Sequence, residues 1–225
     1  MSSLRVSMPV GGRLAAALLF ALMVSMVSAG CRRSATGVDE SGGFVMRDAA
    51  DCLPDITLLD QHGQKVSLAA LKGKPVLFDF IYTTCPGPCL LLTSHMKLIA
   101  NRLGPALGTE ARIVSITVDP EHDHPPQLLA YAKEFKANVK GWLFLTGTPK
   151  QIDQVMARFN LARQRQPDGT VGHVLEFFLV DAHGRAVLQY LGEKAAPQRV
   201  ASDLERAASG RTMTAGGESK VAATL

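Results

Sequence analysis

Two cysteines, Cys85 and Cys89, stand where a predicted buried strand meets a predicted helix. The short apolar run 76–82 is rich in β-branched and aromatic residues, which indicates a buried strand, and the apolar periodicity of 90–99 indicates the helix. Free N–H groups and the helix dipole at such a junction favour thiolate over thiol. If the first turn is helical, the spacing puts both sulfurs on one face, about 5–6 Å apart at Cβ. The pair is therefore predicted either to close a disulfide or to bind one soft metal ion.

His173 is the candidate for a third ligand, because it directly precedes a predicted strand whose start could face the cysteine loop. Two thiolates and one imidazole form a mixed set: thiolates favour Cu(I), whereas imidazole suits Cu(II) as well. Such a site can hold copper in either oxidation state. From the residues alone, an ordinary surface position remains the alternative for His173.

The loop after the second buried strand alternates acidic and imidazole side chains: Asp119, Glu121, His122, Asp123 and His124. Loops at the carboxyl ends of strands often border the functional site of an open α/β sheet. A solvated helix cap is one interpretation of this loop, and a supporting or partner-docking role is the other. The remaining histidines are predicted to lie outside the site: His62 and His183 in turns, and His95 on a different face of the cysteine helix.

Residues 1–30 have the features of an export signal. Arg5 and Arg13 provide a positive start, and residues 14–27 form an apolar segment that is short for a membrane span. Small residues precede Cys31, as in a bacterial lipobox, in which Cys31 would be lipidated. An uncleaved anchor helix is the alternative. Both predict a domain tethered to the membrane of a bacterial envelope, on the periplasmic or extracytoplasmic side.

Export bears on the other cysteines, because an unprotected thiol pair outside the cytoplasm is expected to oxidise. A Cys85–Cys89 disulfide is thus one expected state of the pair. Cys52 is then left over. It is predicted to be a buried small hydrophobic residue, with a third metal ligand or a mixed-disulfide partner as the alternative. Residues 31–50 are rich in Gly and Ser and are predicted to form a flexible linker.

Composition excludes one broad class of function. The chain of 225 residues is 47% hydrophobic, which is enough for a real core, and its formal net charge is +4. The basic residues are scattered and show no stripe interleaved with aromatic residues, so nucleic-acid binding is not expected.

The order of predicted elements indicates the fold. A hairpin at 56–68 precedes three strand–helix units whose strands lie at 76–82, 111–118 and 142–145, and two further strands and a helix end the domain. Thr148 and Gln151 have capping-box spacing at the start of one helix, and the polar segment 164–172 is predicted to be a loop. Strands joined by helices should be parallel. The prediction is an α/β, thioredoxin-like mixed sheet flanked by helices, with an N-terminal β-hairpin, over 51–208, followed by a disordered tail at 209–225.

Four motifs, in order, carry a family resemblance: FIYTTCPGPC at 80–89, ITVDPEHD at 116–123, LTGT at 145–148, and GH at 172–173 before FLVD at 178–181. Together they resemble the Sco/SenC family of membrane-tethered, thioredoxin-fold copper proteins, which serve assembly of the binuclear copper centre of cytochrome c oxidase. The resemblance implies copper ligation by Cys85, Cys89 and His173, with Asp119 in support. Leu90, Gly172 and Val174 depart from the family pattern, and the latter two flank His173.

Two functional hypotheses follow. The first is a copper metallochaperone, not an enzyme, that delivers copper to the copper-binding subunit of the oxidase by ligand exchange. The second is a thiol–disulfide reductase that acts on the oxidase's copper-binding cysteines through Cys85 and Cys89. Other copper chaperones or a thiol reductant would be additional partners. The second hypothesis leaves His173 without a role.

Overall fold

The computed structural model describes residues 43–45, 51–173, 175–192 and 194–211. Its strands are β1 Gly43–Val45, β2 Thr57–Asp60, β3 Lys65–Ser67, β4 Val76–Ile81, β5 Arg112–Thr117, β6 Trp142–Thr146, β7 Gln164–Arg165, β8 Val171–Gly172, β9 Glu176–Val180 and β10 Ala186–Leu191. Its α-helices are α1 Pro88–Leu103, α2 Pro125–Glu134, α3 Pro149–Arg158 and α4 Pro197–Ala208. Short 3-10 turns occupy Ala69–Leu71 and Gly104–Ala106.

Eight strands form one mixed sheet in the order β1-β10-β9-β4-β5-β6-β2-β3. The central strands β4, β5 and β6 are parallel, as expected for strands joined by helices. The outer strands are antiparallel, because β2–β3 and β9–β10 are hairpins. The predicted mixed α/β sheet with its early hairpin is therefore confirmed. All three parallel strands point their carboxyl ends towards the same edge, and the cysteine loop follows β4 at that edge.

Burial of both sheet faces explains why β4 is apolar almost throughout: all six of its residues are buried. On one face, Phe78 and Phe80 pack against Phe159 at the end of α3, with ring centroids 5.3 Å apart in both cases. Phe178 of β9 completes this aromatic cluster, 5.0 Å from Phe159. The opposite face of β4 carries Asp79, because side chains alternate along a strand.

Three local features differ from the sequence predictions. A strand, β1, lies inside the segment predicted as linker and pairs with β10, because the short apolar run around Phe44 extends the sheet. The predicted loop 164–172 contains the two-stranded hairpin β7–β8, whose strands are too short and polar for a periodic signal. Helix α1 begins at Pro88, so Cys85 precedes the helix and does not lie in its first turn. The capping box of Thr148 and Gln151 is present as predicted.

Several predictions lie outside the described residues: the export signal or anchor over 1–30, lipidation of Cys31, and the tail beyond 211. Among the described helices, none is both long and apolar enough to cross a membrane.

Candidate metal centre

The turn between β4 and α1 brings the two cysteines together. Cys85 and Cys89 are 8% and 0% exposed. The backbone N–H of Cys89 donates to Cys85 Sγ at 3.4 Å, and the N–H of Cys85 donates to the carbonyl of Tyr82 at 3.3 Å. Pro88 occupies the first turn of α1, where a missing N–H group is tolerated. Backbone N–H groups of the turn therefore point towards Cys85 Sγ. Neither cysteine is in a disulfide in this structure.

The two thiols differ in acidity. Burial raises the pKa of Cys85, but hydrogen bonds from the Cys89 thiol, from the N–H groups of Gly87 and Cys89, and from the Tyr82 hydroxyl outweigh it, so this pKa lies below its ordinary value. Burial and the adjacent Cys85 sulfur raise the pKa of Cys89 well above its ordinary value. Burial and Cys85 also raise the pKa of Tyr82 to about 12. In the metal-free pair, Cys85 is therefore the more acidic thiol and Cys89 the less acidic one.

His173 completes the predicted set. It follows β8 directly, and its Nε2 lies 3.7 Å from Cys89 Sγ. The Tyr82 ring meets the imidazole edge to face, with centroids 6.0 Å apart. The structure therefore brings together all three residues that the sequence singled out, although His173 and Cys89 are separated by 84 positions.

The spacing of sulfur and nitrogen tests whether a metal ion fits. Bonds of about 2.3 Å to sulfur and about 2.0 Å to nitrogen, as found for zinc, separate the two atoms by about 3.7 Å at an angle near 120°. The Cys89–His173 pair already has that separation. Within the described parts of the chain, however, no group of three or more His, Cys, Asp or Glu side chains is arranged to hold a metal ion. The donor types of Cys85, Cys89 and His173 are ones that copper accepts, and the three side chains would have to rearrange to hold one ion together.

A shallow cleft of about 250 Å³ opens beside these residues. Its lining is mainly apolar and includes Pro86, Pro88, Val171 and Leu175 next to Cys85 and His173. Leu90 and Leu91, in the first turn of α1, are 40% and 45% exposed. The sulfur of Cys85 is thus approached from solvent through an apolar opening.

Asp123 fixes the cysteine turn. From the sequence it was predicted only to lie in an acidic loop. Its buried carboxylate accepts hydrogen bonds from the backbone N–H of Thr83 at 3.0 Å, from the Thr83 hydroxyl, and from the Thr117 hydroxyl at 2.6 Å. These bonds tie the turn after β4 to the loop after β5. The threonines two positions before Cys85 and at the end of β5 are the sequence signal for this contact.

Asp119 and Glu121, in the same loop, hold two arginines that enter the β7–β8 hairpin. Asp119 accepts a hydrogen bond from Arg165, and both of its carboxylate oxygens lie 3.0 Å from His122 Nδ1. Burial raises the pKa of Asp119, but His122 and Arg165 outweigh it, so this pKa lies below its ordinary value. Glu121 accepts from Arg163 at 2.9 Å. Asp119, which was predicted to support the site, thus binds Arg165 in the hairpin that ends next to His173.

A buried acid, Asp79, lies on the face of β4 towards α1. Its side chain is fully buried, and neither carboxyl oxygen has a hydrogen-bond partner among the described residues. Burial raises its pKa to about 7, and the nearby Ser115 hydroxyl offsets this only in part. Asp79 was not predicted as a notable residue, because a single acid within an apolar strand gives no pattern in the sequence.

The other candidates lie elsewhere. Cys52 is 2% exposed, and its thiol donates to the carbonyl of Arg158 at 3.4 Å. Its N–H donates to Gly184, in the turn between β9 and β10, which lies at the end of the sheet opposite the cysteine loop because β9 runs antiparallel to β4. The buried position predicted for Cys52 is confirmed, and its alternative role as a third metal ligand is wrong. His124 is the N-terminal cap residue of α2.

The chain resembles known proteins in both sequence and fold. The family model described as SCO1/SenC matches residues 45–209. The SCO1 protein homolog of Bacillus subtilis is 34% identical over 171 residues, which cover 74% of this chain and 88% of that protein. The structure of BsSco, described as having a disulfide switch and as a member of the Sco family of cytochrome c oxidase assembly proteins, matches with a TM-score of 0.62 and 33% identity over 73% of this chain and 98% of that one. Bradyrhizobium japonicum ScoI with copper bound matches with a TM-score of 0.59 and 29% identity over 67% of this chain and 95% of that one.

Proposed function

Because the chain belongs to the SCO1/SenC family, we propose that it is a copper metallochaperone that binds one copper ion through Cys85, Cys89 and His173. Its cargo is passed to the copper-binding subunit of cytochrome c oxidase. The observation that carries this proposal is the 3.7 Å separation of Cys89 Sγ and His173 Nε2, next to the more acidic thiol of Cys85. A disulfide reductase does not require an imidazole at that distance.

The chemistry of loading follows from the acidity of the two thiols. Metal ligands must be deprotonated, so copper binding releases protons. Cys85 is the more acidic thiol and is expected to meet copper first, through the apolar cleft. Cys89 then loses its proton as its sulfur and the imidazole close on the ion. Release runs in the opposite direction, as acceptor thiolates replace the protein ligands one at a time.

The domain is proposed to work at the outer surface of a bacterial membrane. The support is the charged start, apolar segment and lipobox-like residues before Cys31 in the sequence. Intact mass measurement of the mature N-terminus in the native membrane distinguishes a lipidated Cys31 from an uncleaved anchor.

Thiol–disulfide exchange is the second candidate, and the acidity of Cys85 favours it. Cys85, as the more acidic thiol, would attack a substrate disulfide as its thiolate, expel one substrate sulfur and form a mixed disulfide. Attack of the Cys89 sulfur on the Cys85 sulfur would then form the Cys85–Cys89 disulfide and release the substrate as a dithiol. That reaction needs no imidazole. A reductase activity of this kind could also prepare the copper-binding cysteines of the oxidase.

The two candidates are separated by one pair of assays on the same variants. The assays measure copper transfer to a soluble copper-binding domain of the oxidase, and the rate at which the reduced protein reduces that domain's disulfide. We expect His173→Ala to abolish transfer and Cys85→Ser to abolish both reactions. A metallochaperone role is contradicted if His173→Ala transfers copper at the wild-type rate. Disulfide reduction that is fast in wild type and in His173→Ala would favour the reductase.

A further inference from the structure

The hairpin β7–β8, residues 164–172, carries His173 at its end but is not part of the main sheet. Among the strands that the structure describes, β7 and β8 pair with each other, with Gln164 opposite Gly172 and Arg165 opposite Val171. The eight-stranded ladder therefore holds the chain only after His173, from Glu176 onward. On the other side of His173, contacts of the hairpin with the rest of the domain contribute to the position of the imidazole.

Arg165 makes side-chain hydrogen bonds from this hairpin to the rest of the domain. Its Nη2 donates to Asp119 and lies 3.3 Å from Glu121, and its Nη1 donates to the carbonyl of Gly169, in the hairpin turn, at 3.2 Å. Asp119 is 2% exposed and fixed after β5, because its N–H donates to the Thr117 hydroxyl at 2.9 Å. One guanidinium thus joins the turn of the hairpin to a rigid loop of the domain.

Arg163 has a different set of partners. It donates to Asp153 of α3 at 2.8 Å, to the carbonyl of Val118 at 3.1 Å, and to Glu121. These bonds fix the chain where it enters the hairpin. Arg165 also reaches its far turn. Other attachments are the buried side chain of Val171 and a hydrogen bond between the Val171 backbone and the Tyr82 hydroxyl. Asp168 only caps the turn, by accepting from Thr170.

We propose that Arg165 is a positioning residue for the copper site: it holds the β7–β8 hairpin against Asp119 and Glu121 so that His173 stays within reach of Cys89. This inference rests on the proposed copper-binding function. Asp119 then supports the metal site by anchoring Arg165. The same loop already fixes the cysteine turn through Asp123, so the loop 119–123 braces both ligand-bearing segments.

Loss of Arg165 should therefore lower the affinity for copper. Without Arg165 the hairpin would still form, but copper would have to order it before His173 could coordinate. Loss of a group that orients a metal ligand typically weakens metal affinity about 10- to 100-fold. Cys85 and Cys89 would remain able to bind copper by themselves. The expected defect is therefore a weaker site that has lost its imidazole.

The test uses three variants of the reduced protein. Arg165→Met removes the guanidinium and keeps an unbranched side chain. Arg165→Lys keeps the positive charge but replaces the planar guanidinium with a single ammonium group. Arg185→Met is the matched control, because Arg185 forms a similar fork with Asp181, at 3.0 and 3.2 Å, in the turn between β9 and β10. Three quantities are measured: amide hydrogen exchange over 164–173 without copper, copper affinity, and the nitrogen coupling of imidazole in the electron paramagnetic resonance spectrum of the Cu(II) form.

We expect Arg165→Met to speed exchange in the hairpin, to weaken copper binding about 10-fold or more and to reduce the imidazole coupling, with Arg165→Lys intermediate and Arg185→Met like wild type. The inference is overturned if Arg165→Met keeps both the affinity and the coupling of wild type. It is also overturned if Arg185→Met shows the same losses, because the effect would then be general. If wild type itself lacks imidazole coupling, the proposed ligand set fails first, which distinguishes the two failures.

Discussion

Nε2 of His173 lies 3.7 Å from Sγ of Cys89, although 84 positions separate the two residues. Cys89 sits in the first turn of α1, and His173 lies at the end of the β7–β8 hairpin. The loop after β5 connects these segments, through Asp123 on one side and Asp119 on the other. The loop after β5 therefore links the two separate segments that carry the proposed copper ligands.

Selective alkylation tests the difference in acidity between the thiols. At a pH below the ordinary thiol range, iodoacetamide should modify Cys85 first, because its pKa is lowered and it is the more exposed of the pair. Cys52 should react slowly, since burial raises its pKa. The measurement is mass spectrometry of peptides from the reduced, metal-free protein over time. Tyr82→Phe should slow the modification of Cys85, because the hydroxyl that stabilises the thiolate is lost. Faster labelling of Cys89 would contradict the assignment of the thiolate.

Oxidation should compete with copper binding. We expect mild oxidation to form a Cys85–Cys89 disulfide and leave Cys52 as a thiol, because Cys52 lies at the opposite end of the sheet. Copper affinity should fall to that of the double variant Cys85→Ser/Cys89→Ser, since the disulfide consumes both thiolate ligands together. Thiol counting and peptide mapping identify the bond. A disulfide that includes Cys52 would show that the chain rearranges far more than this structure allows.

Asp79 should make stability depend on pH. Its pKa is about 7 in the folded protein because of burial and near 3.8 in the unfolded chain. Between those values the folded state retains a proton that the unfolded state has released, so stability falls as pH rises from about 4 to about 7. At about 1.4 kcal/mol per pKa unit, the loss is up to about 4 kcal/mol. Urea unfolding of the metal-free protein across this range measures it.

Asp79→Asn is the matched variant for this prediction. It keeps the size of the side chain and removes its titration, so its stability should change much less between pH 4 and pH 7. An equally steep fall in Asp79→Asn would assign the pH dependence to other groups.

Asp123→Ala should loosen the cysteine turn. The substitution leaves the Thr83 N–H and the Thr83 and Thr117 hydroxyls without their acceptor, at a cost of about 2–3 kcal/mol in the free energy of unfolding. Asp123→Asn keeps an acceptor oxygen and should lose less. Equilibrium unfolding of the reduced, metal-free protein provides the values. Equal stability of Asp123→Ala and wild type would mean that these bonds do not anchor the turn.

The local parts of the fold and site were predictable from sequence, and the long-range parts were not. Cys85 and Cys89 follow an apolar strand and precede a periodic helix, so their position at the carboxyl edge of the sheet follows from local pattern alone. The mixed sheet followed from the order of its elements. His173 was a candidate because of its place before a strand and within an ordered set of motifs, since no local pattern joins it to Cys89.

The missed features have physical reasons. The strands β7 and β8 have two residues each, which is too few for any alternation of polar and apolar residues. Arg165 lies in a polar segment where an arginine is unremarkable, and its role depends on Asp119, 46 positions away. Asp79 interrupts an apolar run without changing the assignment of a strand. Each of these roles depends on the neighbours that the tertiary fold provides.

The most direct test of the proposed copper site is to identify the atoms that bind copper. X-ray absorption spectroscopy of the Cu(I) form should show two sulfur ligands and one nitrogen ligand in wild type. In His173→Ala the nitrogen ligand should disappear while both sulfurs remain, and His183→Ala, which alters an exposed histidine in a turn, should match wild type. The proposed ligand set is contradicted if His173→Ala keeps the wild-type coordination, or if copper in wild type has no nitrogen ligand.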